Sequence, residues 1–182
     1  MRKVFKVIIV GNGGVGKTSL RKNYFGEGFS HNYIATLGAD FAIKKLSNNI
    51  QKVIQIWDLA GQPSFNSVRE AYYVGTGGVI LVYDIKRPET FHSIPNWIEE
   101  VITHTHTDYP PPMALIANKI DLQEENDISI VKTQQGKEYA KELTEWAKMD
   151  VPFIETSAKT GFNVDHMFET LIKNIELMNR TT

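Results

Sequence analysis

Gly11-Asn12-Gly13-Gly14-Val15-Gly16-Lys17-Thr18 follows directly on the apolar run Val7-Ile8-Ile9-Val10 and leads into a segment of helical periodicity. The spacing G-x-x-x-x-G-K-[ST] between a strand and a helix is that of a phosphate-binding loop. Glycines let the backbone curl with its N–H groups turned inward around an anion, and the amides that open the following helix add positive potential. Lys17 supplies a point charge for the outer phosphate oxygens, and the Thr18 hydroxyl is a candidate Mg²⁺ ligand. The stretch Gly13, Gly14, Val15, Gly16, Lys17, Thr18 and Ser19 is therefore the expected polyphosphate site. A glycine-rich turn with a chance lysine explains neither the strand before it nor the threonine after it.

At 182 residues, 42% of them hydrophobic, the chain fits a single domain over residues 1–182 with a full core. Twenty basic and twenty-one acidic residues give a net charge of −1, so nothing suggests nucleic-acid binding and phosphate affinity must be local. Cysteine is absent, which excludes disulfides, zinc–thiolate sites and thiol nucleophiles, and fits a cytoplasmic location. No apolar run approaches the roughly 20 residues that cross a membrane, and none has the form of a signal peptide.

Short apolar runs alternate with helical patterns. Strands are expected near 3–10, 39–46, 50–58, 78–84, 113–118 and 152–156, and helices near 16–25, 65–75, 93–105, 132–148 and 163–179. This alternation predicts an α/β, P-loop NTPase architecture: a six-stranded, mostly parallel sheet with helices on both faces. The second and third strands are joined by only Ser47-Asn48-Asn49, too short for a helical crossover, so that pair is expected to be antiparallel. Val164, Met167, Phe168, Leu171, Ile172 and Ile175 form one apolar stripe in the last helix, a core face.

The base is decided further along. Asn118-Lys119-Ile120-Asp121 follows the strand Met113-Ala114-Leu115-Ile116-Ala117. A carboxylate in a base pocket accepts two hydrogen bonds from the N1–H and 2-amino group of guanine, whereas adenine offers neither. Sites built around such a group reject the analogue that lacks it by about 10⁴–10⁵. Asn118 is expected to bond the base and brace the loop, and the Lys119 stem to lie along the purine face. Ser157-Ala158-Lys159, at the end of the sixth strand, adds a backbone N–H at Ala158 for the guanine carbonyl. Each motif sits where an open α/β sheet puts its ligand, beyond the carboxyl end of a strand.

Between them, Trp57-Asp58-Leu59-Ala60-Gly61-Gln62 ends the third strand. Asp58 suits the carboxylate that holds Mg²⁺ through a water. Gly61 offers a backbone N–H to a terminal phosphate, and Gln62 is placed to orient a water. Thr36, in the loop before the second strand, is a hydroxyl able to close on the metal when a third phosphate is present.

With these motifs in order, the chain resembles a Ras-superfamily small GTPase, and most of all the Rab branch, over residues 4–178. The Rab-like features are Thr36-Leu37-Gly38-Ala39-Asp40-Phe41, the Trp57 to Gln62 turn, Ala71-Tyr72-Tyr73 and Leu81-Val82-Tyr83-Asp84. The resemblance implies a switch that hydrolyses GTP, with a role in membrane trafficking. It implies bound GTP or GDP with Mg²⁺, switch I near 29–40 and switch II near 60–74, and nucleotide contacts from Phe29 and Tyr33. Gln62, Lys17 and Gly61 would carry catalysis. Phe41, Trp57 and Tyr72 would face effectors, and an exchange factor and a GTPase-activating protein would complete the cycle. No arginine is obviously placed to act in cis at the β–γ bridge, with Arg69 in switch II the one candidate.

Three departures from that family pattern stand out. Pro63 follows Gln62 where Rab proteins carry glutamate, which puts water positioning in doubt and keeps open a GTP-binding scaffold with negligible hydrolysis. The stretch from Asp121 to Ser157 is longer than usual, with an acidic loop at Gln123–Asp127. The last residue is Thr182 and no cysteine is present for prenylation, so no intrinsic anchor is expected within this sequence, and peripheral membrane association is expected only through partners or a tail outside it.

Overall fold

Val7, Ile8, Ile9 and Val10 are all fully buried in strand β1 (Lys3–Val10), as only a central strand covered on both faces can be. In the computed structural model, which describes residues 3–27, 36–46, 52–107, 109–124 and 127–181, it lies in a six-stranded sheet. The others are β2 (Ala39–Lys45), β3 (Lys52–Leu59), β4 (Gly78–Asp84), β5 (Met113–Asn118) and β6 (Phe153–Thr156), in the order β2-β3-β1-β4-β5-β6. As the short link requires, β2 runs antiparallel to β3, with Phe41 opposite Trp57; every other pair is parallel.

The helices are α1 (Lys17–Tyr24), α2 (Asn66–Tyr73), α3 (Pro88–His92), α4 (Ile94–Thr105), α5 (Thr133–Ala147) and α6 (Val164–Thr181). Helix α3 has no counterpart among the expected elements. Pro88 lies in its first turn and Pro95 in that of α4, where the missing N–H has no intrahelical partner to lose, so two proline-headed helices follow one another through Ser93.

Alternate side chains of β1 divide the core. Val7 and Ile9 join Ile54, Ile80, Ile116, Leu20 and the α6 stripe Val164, Met167, Phe168 and Leu171 on one face. Ile8 and Val10 join Leu81, Tyr83, Leu115 and α4 and α5 residues such as Trp97, Val101 and Leu143 on the other. Because β1 is flanked by β3 on one side and β4 on the other, connections leave its carboxyl end in opposite directions. This switch point opens a crevice beyond the ends of β1, β3, β4, β5 and β6.

Candidate functional site

The loop after β1 takes its shape from glycine. Gly11, Gly14 and Gly16 have φ of 144°, 77° and 103°, a region that side chains with a Cβ avoid. Gly16 lies directly before α1, and Lys17, its first residue, turns back to donate to the carbonyls of Gly11 (2.7 Å) and Asn12 (3.0 Å). Burial lowers the pKa of this ammonium from 10.5 to about 8; the negative charge of Asp58 opposes the shift, while Arg69 and Arg87 add to it. A group whose charge is this costly to bury gains much from an anion placed against it.

Beside Lys17, three oxygen donors converge. The Thr18 hydroxyl donates to Asp58 Oδ2 and lies 3.1 Å from the Thr36 hydroxyl. Asp58 is fully buried at the end of β3, and its Oδ1 has no hydrogen-bond partner. Burial raises its pKa, against the Thr18 hydrogen bond and the charge of Lys17. A buried carboxylate oxygen without a donor, next to two hydroxyls, is the donor set that a small hard cation takes when phosphates and waters complete its shell.

At the other end of the crevice Asn118 joins all three loops. Its Nδ2 donates to the Val15 carbonyl at 2.8 Å, while its Oδ1 accepts from Thr156 Oγ1 and from the Ala158 N–H, each at 3.1 Å. The bracing expected of Asn118 is thus visible, and the Ala158 amide expected to meet the base is engaged with Asn118. Ser157 Oγ donates to Asp121 Oδ1 at 2.6 Å, which holds that exposed carboxylate at the rim. Lys119, at φ 70°, pairs with the buried Asp84 at 2.7 Å, and Lys159 is exposed nearby.

The segment after β3 begins hard against the loop that follows β1. A Cβ on Gly61 would lie 2.5 Å from Gly13 N and from Asn12 C, so only glycine fits. Gln62 is extended (φ −84°, ψ 140°), and Pro63 opens a 3₁₀ turn at Pro63–Phe65. Arg69, the candidate cis arginine, instead points inward: its side chain is 2% exposed and donates to the carbonyls of Ala60 and Gln62 (both 2.9 Å) and to both Glu100 oxygens (2.8 and 2.9 Å). Its guanidinium also lies over Trp97, whose Nε1 donates to Asn12 Oδ1 at 2.8 Å. Phe41, Trp57 and Tyr72 form one run of rings, Phe41 stacked on Trp57 with centroids 4.8 Å apart and Tyr72 tilted against Trp57 at 5.2 Å, and Phe41 is half exposed. Phe29 and Tyr33 lie outside the described residues.

One arginine was not singled out by its sequence context. Arg87, three residues past the end of β4, donates from Nη2 to the Gly13 carbonyl at 2.8 Å and from Nε to Asp84 at 3.2 Å. The available signal was its position just beyond a strand's carboxyl end, where this sheet gathers its ligand.

Comparisons agree with this geometry. A family model described as Ras family matches residues 6–177. The Ypt/Rab-type GTPase YPT7 of Saccharomyces cerevisiae is 38% identical over 183 residues, covering 98% of this chain and 85% of that protein. The Ras-related protein Rab7 of Pisum sativum is 39% identical, covering 95% and 82%. The Ras-related protein Rab-12 of Mus musculus is 40% identical, covering 93% of this chain and 66% of that protein. From the phosphate loop and the loops beyond β3, β5 and β6, together with these relatives, it follows that the chain belongs to the Ras family, in its Rab branch, and is a GTP-hydrolysing switch.

Proposed function

We propose that the chain is a Mg²⁺-dependent switch in which guanine is read by Asp121 and the presence of a third phosphate by Thr36 and Gly61. Gly13 through Ser19 hold the phosphates with backbone amides and the Lys17 ammonium. Thr18, Thr36 and Asp58 would hold Mg²⁺, and the ion would offset charge on the outer phosphates. Gln62 orients the attacking water, and the Gly61 N–H bonds the γ-phosphate. After hydrolysis Thr36 and Gly61 lose their ligand, so both switch segments are released together. Asn118 is chiefly a brace, while Asp121, Lys119 and the Ser157-Ala158-Lys159 turn surround the base.

The observation that carries this reading is the Asn118 side chain, which ties the loop of β1 to those of β5 and β6 in one hydrogen-bonded set. Polyphosphate and base motifs then face a single crevice. An exchange factor, an activating protein and effectors are expected on switches I and II, with Phe41, Trp57 and Tyr72 as the aromatic part of the effector surface. The Rab names of the relatives favour a trafficking role, with cytoplasmic location and peripheral attachment to membranes. No helix among the described residues is long and apolar enough to cross one.

Asp121→Asn tests the base assignment. An amide in place of the carboxylate offers a donor, so the variant should lose affinity for GTP and gain it for xanthosine triphosphate, whose C2 carbonyl accepts. Competition binding measures both. Retained preference for GTP would remove Asp121 from the base pocket.

A further inference from the structure

Trp97, one turn into α4 and buried, uses the edge and the face of its indole for two different segments. From the edge, Nε1 donates to Asn12 Oδ1 at 2.8 Å, in the loop that follows β1. The amide of the same asparagine donates from Nδ2 to Ser93 Oγ at 3.3 Å, so both ends of the Asn12 side chain finish at the start of α4. Against the indole face lies the Arg69 guanidinium, its central carbon 4.8 Å from the ring centroid.

These contacts close into a circuit. Arg69 Nη1 donates to the carbonyls of Ala60 and Gln62, both at 2.9 Å, and those residues flank Gly61. Gly61 in turn lies so close to the main chain of Asn12 and Gly13 that no Cβ fits there. A line leaving the loop by the Asn12 side chain therefore passes through Trp97, Arg69 and the Gly61 backbone and returns to the same loop. The helix that carries Trp97 is itself fixed, with Ile94, Ile98 and Val101 buried in the core. Glu100, one turn further along α4, already answers the charge of Arg69 with both of its oxygens. What the indole adds is the link to Asn12. Tryptophan combines a broad aromatic face for a cation with an N–H on its edge, whereas phenylalanine keeps the first and lacks the second.

We infer that Trp97 is a positioning residue for GTP hydrolysis, which fixes the Gln62 backbone relative to the phosphate loop by tying Asn12 to Arg69. This rests on the reading of Gly13 to Ser19 as the phosphate site and of Gln62 as the residue that orients the attacking water. In-line attack needs that water at a set distance and angle from the γ-phosphorus, and a misplacement of about 1 Å can cost about 10²-fold in rate. GDP has no γ-phosphate to be attacked, and the base loops are braced by Asn118, which the circuit does not include. Trp97 therefore acts on the rate of hydrolysis and leaves the grip on GDP largely alone.

Single-turnover hydrolysis of preloaded GTP by the intact chain, with GDP dissociation measured alongside, tests the inference in Trp97→Phe, Asn12→Ala and the double variant. Each single change should slow hydrolysis about tenfold, part of the cost that misplacement can reach. Because both remove the same hydrogen bond, the double variant should be slower than either single by less than about twofold. GDP dissociation should change by less than about threefold, since the tie serves the reacting geometry. In a Gln62→Ala background Trp97→Phe should have no further effect on the rate. Asn12→Ala breaks the bond from the loop side and leaves the core untouched, so it stays informative where Trp97→Phe does not fold. Unchanged hydrolysis in either single variant overturns the inference. So do losses that multiply in the double variant, a full loss that persists without Gln62, or GDP release that quickens as much as hydrolysis slows. A wild-type chain that binds no GTP removes the phosphate site and the inference together, whereas a wild-type chain that hydrolyses GTP beside an equally fast Trp97→Phe removes the inference alone.

Discussion

Lys17 connects burial to ligand binding most directly. Burial lowers its pKa to about 8 from the ordinary 10.5, because desolvation outweighs the attraction of Asp58. Between those values folded Lys17 binds fewer protons than the unfolded chain does, so stability rises with pH across the window. Nucleotide affinity moves the opposite way, since a phosphate needs the ammonium. An NMR titration of lysine ¹³Cε signals should find one residue near pH 8, driven upward when GDP is added. If all lysines of the free protein titrate at ordinary values, this account of the site fails. Pro63 makes a second case. Proline disfavours helical angles at the residue before it, and Gln62 is accordingly extended, with its carbonyl held by Arg69. Replacing Pro63 by Glu should raise the single-turnover rate severalfold and leave GDP affinity unchanged; equal rates would show that Gln62 is not misdirected. Residues that act through backbone shape or charge at fixed motif spacing, such as Gly16, Lys17 and Asp58, could be read from the chain alone. Arg87 could not, because its role depends on which loop the end of β4 meets.

Among the elements, switch II stands on one arginine. Arg69 holds the start of the segment by the carbonyls of Ala60 and Gln62 and fixes α2 to α4 through Glu100, which also accepts from the Tyr73 hydroxyl at 2.8 Å. Removing one member of a buried pair leaves the other uncompensated, at a cost of about 3–5 kcal/mol. Because Glu100 keeps a fifth of its side chain in solvent, Arg69→Ala should lose roughly 2–3 kcal/mol in urea unfolding. A loss below about 0.5 kcal/mol would reduce the cluster to an ordinary surface pair. The segment's aromatic face is also explained by packing: Tyr72 rests on Trp57, which rests on Phe41, so β2, β3 and α2 share one surface. Strand identity and the β2–β3 reversal followed from apolar runs and link length. Helix α3 did not, since five residues are too few to show helical periodicity and Pro88 reads equally well as a turn.

Across the molecule, the site has a rigid part and a releasable part. Gly11 to Lys17 and Asn118 follow or end buried strands and are bonded to one another, while Asp84 holds Lys119 and Ser157 holds Asp121, so a nucleotide meets them already assembled. Thr36 to Gly38 and the segment from Ala60 hang on fewer ties: the hydroxyl contact to Thr18, the Gly38 carbonyl to Ala60 N–H bond at 2.9 Å, and the Arg69 cluster. Leu37 between them is 82% exposed. Such segments open at far lower free energy than core strands. On the proposed reading, a γ-phosphate that bonded both Thr36 and Gly61 would add a further tie, and the Gly38–Ala60 bond would make the two segments close as one. Amide hydrogen exchange should therefore slow at 36–38 and 60–74 when GDP is replaced by a non-hydrolysable GTP analogue, while β1, β4 and β5 exchange alike in both states. Thr36→Ala should abolish the slowing in both segments together. If it affected only 36–38, the segments would respond to the phosphate independently, and Gly61 alone would govern switch II.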